Sequence, residues 1–297
     1  MKILNYGSLN LDYVYQVPNF VRAGETVSAL RRDVNIGGKG LNQSIALARA
    51  GAEVYHAGCV GKDGKMLTDF LQQNGVNTSL IACVEEPSGH AIIQVDPNGQ
   101  NCILIHGGAN RCITEAQIDA ALEQFEIGDF LLLQNEINDI DLIIQKAHQK
   151  GLTVVLNPSP ITAELLQANL QNVDWFLLNE TEGAALADLP DCDADAVMQA
   201  LRIKYPQSKF VLTLGSAGAR YFDREKHVNV AARRVQAVDT TAAGDTFTGF
   251  FLGELLRGGT VENALELASC ASALTVTKAG AAQSIAPLEQ VLEFQKQ

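Results

Sequence analysis

The sequence predicts an α/β fold: a central, mostly parallel sheet flanked by helices, with a small β-sheet lid. Three observations point there. Short, continuously apolar runs bounded by Gly, Asn or Pro alternate with helix-period segments along most of the 297 residues. Four strand-like runs in the N-terminal third break that alternation, with no helices inside either pair. A stretch of small residues, Val238-Asp239-Thr240-Thr241-Ala242-Ala243-Gly244-Asp245-Thr246-Phe247, then opens an apolar run of helical length.

Each element follows from its pattern. Residues 2–6, 54–60, 130–133, 154–156, 175–178 and 210–214 read as strands buried on both faces. Between them, 41–50, 62–74, 114–125, 138–149, 180–186 and 194–204 carry helical periodicity, and 246–256, 261–276 and 288–294 close the chain as three more helices. The lid strands are 11–17 with 27–36, and 90–95 with 102–106. Asp96-Pro97-Asn98-Gly99-Gln100 supplies the hairpin turn of the second pair. We therefore expect one domain over 1–297, with lid strands inserted at about 11–36 and 88–107.

Composition narrows the function. Hydrophobic residues make up 47% of the chain, enough for a large core, and the net charge is −12. Such an acidic chain gains little from a phosphate backbone, so nucleic acid is not an expected partner. No apolar stretch reaches the length of a membrane span, and the opening Met1-Lys2-Ile3-Leu4-Asn5-Tyr6-Gly7 reads as a strand rather than a signal peptide. A cytoplasmic protein is expected. The six cysteines (Cys59, Cys83, Cys102, Cys112, Cys192 and Cys270) are scattered without a Cys-x-x-Cys pair, which suits reduced thiols better than zinc or disulfides.

The chemistry-bearing candidates sit at turns. Ala243, Gly244 and Asp245 fall at a helix start, where free backbone N–H groups attract an anion and Asp245 would stand beside it as a base. The competing reading is a plain helix cap. Gly37-Gly38-Lys39-Gly40-Leu41-Asn42-Gln43 joins a lid strand to a helix, which lets backbone approach a ligand, and Asn42, one residue into the helix, could hydrogen-bond a hydroxyl. It is not a Walker A loop, and no Gly-x-Gly-x-x-Gly follows the first strand. Asn10 and Asp12, two apart on an extended segment, share a side and could grip vicinal hydroxyls, or form an Asx turn. Asn179 and Glu182 either form a capping box or hold a Mg²⁺–phosphate group at the sheet's carboxyl edge. Thr213, Gly215 and Gly218 end the next strand at that rim.

Through the Gly37–Asn42 and Asp239–Asp245 segments the chain resembles the ribokinase-like (PfkB) carbohydrate kinases. Asn157-Pro158-Ser159-Pro160, Asn179–Glu182, Thr213–Gly218 and Lys278-Ala279-Gly280 follow in that family's order. The resemblance implies a ribokinase-like fold and phosphoryl transfer from ATP to the primary 5-hydroxyl of a sugar, ribose in the first instance. Deoxyribose, another small sugar or a nucleoside is the alternative acceptor, and a non-catalytic sugar-binding regulator the alternative class. Asp245 would be the general base, with an anion hole from Ala242, Ala243 and Gly244. Asn10, Asp12, Gly38, Lys39, Asn42 and Glu136 would bind sugar. Asn179, Thr213, Gly215, Gly218 and Gly244 would face ATP, with Glu182 in the Mg²⁺ environment. An activating K⁺ would take the side chains of Asp239 and Ser284 and the carbonyls of Thr241, Thr275, Lys278 and Gly280. A homodimer through the lid, by way of residues 14–17 and 92–95, is also implied. Phe250, Leu41 and Thr241 depart from the family's common residues and leave the pocket's shape, and so the sugar, open.

Overall fold

The computed structural model describes residues 1–190 and 193–296, so Cys192 lies outside the described residues. In chain order the elements are β1 (Ile3–Tyr6), β2 (Asn10–Gln16), β3 (Arg31–Gly37), α1 (Lys39–Arg49), β4 (Val54–Val60), α2 (Lys65–Gln73), β5 (Asn77–Cys83), β6 (Gly89–Val95) and β7 (Asn101–His106). Next come α3 (Glu115–Glu123), β8 (Phe130–Gln134), α4 (Ile140–Lys150), β9 (Thr153–Asn157), α5 (Ala163–Gln167), β10 (Trp175–Asn179), α6 (Glu180–Leu186) and α7 (Ala194–Lys204). The chain closes with β11 (Lys209–Thr213), β12 (Ala219–Phe222), β13 (His227–Val230), α8 (Ala243–Leu256), α9 (Val261–Val276) and α10 (Leu288–Gln295).

Nine strands form the main sheet in the order β13-β12-β11-β10-β9-β8-β1-β4-β5. All neighbours from β11 to β5 run parallel, while β12 and β13 add antiparallel at one edge. Each central strand feeds both faces by its two-residue period. Leu132, Val155, Leu177 and Val211 enter the core under α1, α8 and α9, whereas Leu133, Leu156, Phe176 and Phe210 enter the core on the opposite side. This is the expected α/β sheet. The sheet also contains β5, β12 and β13, and the short helix α5 follows β9; the sequence reading assigned none of these four.

Strand order reverses at β1, which has β4 on one side and β8 on the other. In open α/β sheets, ligands bind beyond the carboxyl ends of strands at such a reversal. Here those ends are Ser8, after β1, and Glu136, after β8. The Ser8 hydroxyl donates to Glu136 Oε2.

The second sheet has the order β3-β2-β6-β7 and holds the four lid strands. Asn10 pairs in register with Gly37 on one side and Gly89 on the other, so the sugar-site candidate Asn10 lies where the lid leaves the body. The strands expected to meet a second copy, β2 and β6, are the inner ones. The outer edge strand β7 is exposed throughout, with Ile103, Leu104 and Ile105 all more than half exposed.

Helices α1 and α8 pack with almost no side chain between them. A Cβ on Gly249 would come within 2.3 Å of Ala46 Cβ, and one on Gly253 within 2.6 Å of Ala50 Cβ. Phe250, on another face of α8, is fully buried in the core and does not line the cleft. Gly249→Ala should therefore force the two helices apart, at a cost of about 1–3 kcal/mol, the usual range for overpacking. Thermal unfolding should register this as a melting point lower by several degrees.

Candidate active site

The base candidate is held by an unusual pair of neighbours. Ala242 adopts a left-handed conformation at φ 59° and lets α8 begin at Ala243. Asp245 then sits in the first turn, 8% exposed, where the helix dipole favours its charge. Asn42 Nδ2 donates to Asp245 Oδ2 at 2.9 Å, and Gln43 Nε2 donates to Oδ1 at 2.9 Å. Both donors come from the start of α1, so the close α1–α8 approach delivers them. Asn42 Oδ1 is buried and has no hydrogen-bond partner among the described residues.

Around Asp245 lies a cavity of about 250 Å³. Lys39, Asn179, Glu182, Thr213 and the turn Ala242–Asp245 line it, together with Asn157, Ser159, Thr240 and Thr248. The Ala243 amide donates to Thr240 O at 3.3 Å, which partly engages the middle of the expected anion hole. The amides of Ala242 and Gly244 make no hydrogen bond among the described residues. Burial pushes the Lys39 ammonium down, but the carboxylates of Asp245, Glu136 and Glu182 outweigh it and hold Lys39 above its ordinary value. Lys39 is thus a fixed cation between the two halves of the cleft.

The sugar-site candidates gather on the lid side. The Lys39 amide donates to Glu136 Oε2 at 3.0 Å, on the same carboxylate that receives the Ser8 hydroxyl. Asn110 Nδ2 donates to Asn10 Oδ1 at 2.7 Å, and Asn110 Oδ1 accepts from the Leu9 amide at 3.0 Å. Glycines make this crowding possible. A Cβ on Gly37 would lie 2.1 Å from Asp12 Oδ2, one on Gly89 would lie 2.0 Å from Asn110 Nδ2, and one on Gly40 would lie 2.3 Å from the Ser8 nitrogen. Gly38, at φ 95°, turns the chain from β3 into α1. Burial and, secondarily, the Glu136 charge raise the Asp12 carboxyl to about 6.

Asn179 and Glu182 do form the capping box: Asn179 Oδ1 accepts from the Glu182 amide at 2.9 Å, and Glu182 Oε2 from the Asn179 amide at 3.0 Å. Both also line the cavity. Gly215 and Gly218 do not line it. They shape the turn from β11 to β12, where a Gly218 Cβ would strike Val230 O at 2.0 Å.

Among the cation-site candidates, Asp239 bonds to two others, Thr241 and Gly280. Asp239 Oδ1 accepts from the Thr241 amide at 2.9 Å and hydroxyl at 2.7 Å, while Oδ2 accepts from the Gly280 amide at 2.9 Å. Burial opposes this charge, but the Thr241 hydroxyl and the two amides prevail and hold Asp239 below its usual value. Thr241, a departure from the family's common residue, thereby gains a bond. Ser284 Oγ donates to Ala281 O at 2.7 Å, and Thr275 is fully buried with its hydroxyl on Thr246.

Sequence reasoning did not assign a role to Gln43, Asn110, Ser8, Gln134 or Thr248. Gln43 at least stands next to Asn42 at the helix start. The others carry no local signal, because each matters only through a contact distant in sequence.

Residues 1–287 match the pfkB family carbohydrate kinase model. The chain is 36% identical over 296 residues to the ribokinase of Haemophilus influenzae, covering 97% of this chain and 96% of that one. It is 33% identical over 303 residues to the deoxyribokinase of Salmonella typhi, covering 99% and 98%. Among solved structures, Arabidopsis thaliana ribokinase complexed with ribose and ATP superposes with a TM-score of 0.88 at 30% identity, covering 100% of this chain and 99% of that one.

Asp12 carries a stability signature. A carboxyl raised from 3.8 to about 6 stabilises the fold fully below about 3.8, and that contribution is lost as pH rises through about 6. Asp12→Asn should therefore melt above the wild type at pH 8, by on the order of a few degrees. The gap should close near pH 4, which a pH series of thermal melts would check.

Proposed function

This chain belongs to the pfkB family of carbohydrate kinases, and we propose that it transfers the γ-phosphate of ATP to the primary 5-hydroxyl of ribose. The observation that supports this best is the Asp245 carboxylate. It is buried, held on both oxygens by amide donors, and set in a cavity beside main-chain N–H groups.

The reaction is an in-line displacement in which the protein contributes position and electrostatics. Asp245 accepts the proton of the 5-hydroxyl as its oxygen attacks the γ-phosphorus, and the bond to the β–γ bridging oxygen breaks to leave ADP. The amides of Ala242 and Gly244 face the transferring phosphoryl oxygens, with Ala243 between them bent toward Thr240 O. Lys39 supplies positive charge on the line between sugar and phosphate. Asn10, Asp12, Asn42 and Glu136 hold the sugar hydroxyls, with Gly38 giving the backbone its close approach. Thr213 lies along the nucleotide side. Closure of the lid would exclude water and suppress ATP hydrolysis.

Two metal ions fit the residues present. Glu182, buried and lining the cavity, together with Asn179, suits a Mg²⁺ held largely through water and phosphate. That ion would neutralise phosphate charge. Asp239, Ser284 and the carbonyls of Thr241, Thr275, Lys278 and Gly280 make an all-oxygen set of the kind a hard cation such as K⁺ takes. Its place behind the anion-hole turn would let it steady that turn.

No helix among the described residues is long and apolar enough to cross a membrane. We assign the enzyme to the cytoplasm as a homodimer joined through its lid sheets. The exposed apolar edge of β7 supports that pairing, since such an edge is a template for another strand. The likeness to a deoxyribokinase makes 2-deoxyribose the competing acceptor, as that sugar keeps the 5-hydroxyl.

Asp245→Asn should lower kcat by about 10²–10⁴, the range for loss of a general base, with a much smaller change in sugar KM. A coupled ADP assay measures both, and an unchanged kcat would remove Asp245 from its role. The same assay over ribose, 2-deoxyribose and a nucleoside should give the highest kcat/KM with ribose. Potassium should raise activity, and Asp239→Ala should abolish that response.

A further inference from the structure

A buried chain of hydrogen bonds starts at the turn after β1 and ends on the base. His56 is fully buried, and burial lowers its imidazole to about 4, so it is neutral at ordinary pH. Its Nε2 faces Gly7 O at 3.2 Å, and a carbonyl can only accept, so the proton sits on Nε2. Nδ1 must then accept from the Ser44 hydroxyl, 2.8 Å away. The Ser44 oxygen in turn accepts from Asn5 Nδ2 at 2.8 Å, whose second proton goes to Gly40 O at 2.7 Å. Asn5 Oδ1 accepts from Gln134 Nε2 at 2.9 Å, and Gln134 Nε2 also donates to Gln43 Oε1 at 2.7 Å.

Each link fixes the direction of the next. With Oε1 committed to Gln134, the Gln43 amide has one orientation, and its Nε2 must point at Asp245 Oδ1 (2.9 Å) and Asn157 Oδ1 (3.1 Å). Two backbone carbonyls, Gly7 O and Gly40 O, thus anchor the polarity of the whole chain. Asn42 restrains only the other carboxylate oxygen, Oδ2. One donor leaves a carboxylate free to swing about its terminal torsion; a second on the other oxygen pins the plane.

We propose that Gln43 is a positioning residue for the phosphoryl transfer, fixing the plane of the Asp245 carboxylate through the Gln134–Asn5–Ser44–His56 chain. This rests on the reading of Asp245 as base. Gln43 is fully buried and does not line the cavity. It reaches the cavity wall through two residues, Asp245 and Asn157; an effect on rate carried by Asp245 disappears when Asp245 is removed, whereas one carried by Asn157 or by packing does not.

The test is a double-mutant cycle on the full-length enzyme with ribose and MgATP, using Gln43→Met alone and in an Asp245→Ala background. Gln43→Met keeps the side-chain volume and removes both the donor and the acceptor of the amide. We expect kcat to fall by on the order of ten-fold in the wild-type background, since a misplaced catalytic group is costly. Sugar KM should stay within about two-fold, and in Asp245→Ala the same substitution should change kcat by less than about two-fold. Equal losses in both backgrounds, or an unchanged kcat in the single variant, would overturn the proposal. If Gln43→Met does not fold, Gln134→Met carries the same cycle, because Gln134 reaches the base only through Gln43. A fully active Asp245→Ala would instead overturn the assignment of the base, so the two failures are distinguishable.

Discussion

The contact between α1 and α8 is the constraint on which the site depends. Asp245, Gly249 and Gly253 are spaced four apart along α8, and Asn42, Ala46 and Ala50 are spaced four apart along α1. Residues at that spacing share a helix face. Gly249 meets Ala46 and Gly253 meets Ala50 at backbone-level approach, and the same two faces end in the bond from Asn42 to Asp245. The seam that packs the helices therefore also sets the distance between Asp245 and the amide of Asn42. Core packing and the setting of this carboxylate are one structural fact here.

The sheet contributes the other coordinate. Strand order reverses at β1, where Ser8 and Glu136 are hydrogen-bonded to each other, and the first turn of α1 packs against Ser8 through Gly40. The lid begins at the same place, since Asn10 is the first residue of β2. Asn10 and Asp12 therefore belong to the lid sheet, while Asn42, Gln43 and Asp245 belong to helices of the body. Burial raises the Asp12 carboxyl, so its ionised form is held at some cost to the fold.

Much of this was legible in the sequence. The central strands, buried on both faces, are continuous apolar runs, and the helices α6, α7 and α9 fall on their expected bounds. What escaped has a physical reason. β5 and β13 are edge strands with mixed polarity, β12 is four residues long, and α5 has only five residues, so none forms a long apolar or helix-period run. Asp245 and Asn42 were visible because each sits in a distinctive turn. Gln43, Gln134 and Asn5 were not, because nothing local marks an amide as buried or tells which of its two ends points at the base. Thr213 shows a related limit: its hydroxyl is bonded to Leu178 O, a tie that only the β10–β11 pairing creates. Gly218 was read toward the nucleotide, but the approach of Val230 explains its lack of a side chain.

The central claim is that the α1–α8 contact presents the Asp245 carboxylate at once to an acceptor alcohol and to a terminal phosphate. A crystal structure with ribose and a non-hydrolysable ATP analogue measures this directly. The account predicts the 5-hydroxyl oxygen within about 3 Å of an Asp245 oxygen and in line with the γ-phosphorus, which lies against the Ala242–Gly244 turn. A sugar bound with its 5-hydroxyl away from Asp245, or Asp245 released from Asn42 and Gln43 and turned out of the cleft, would contradict it.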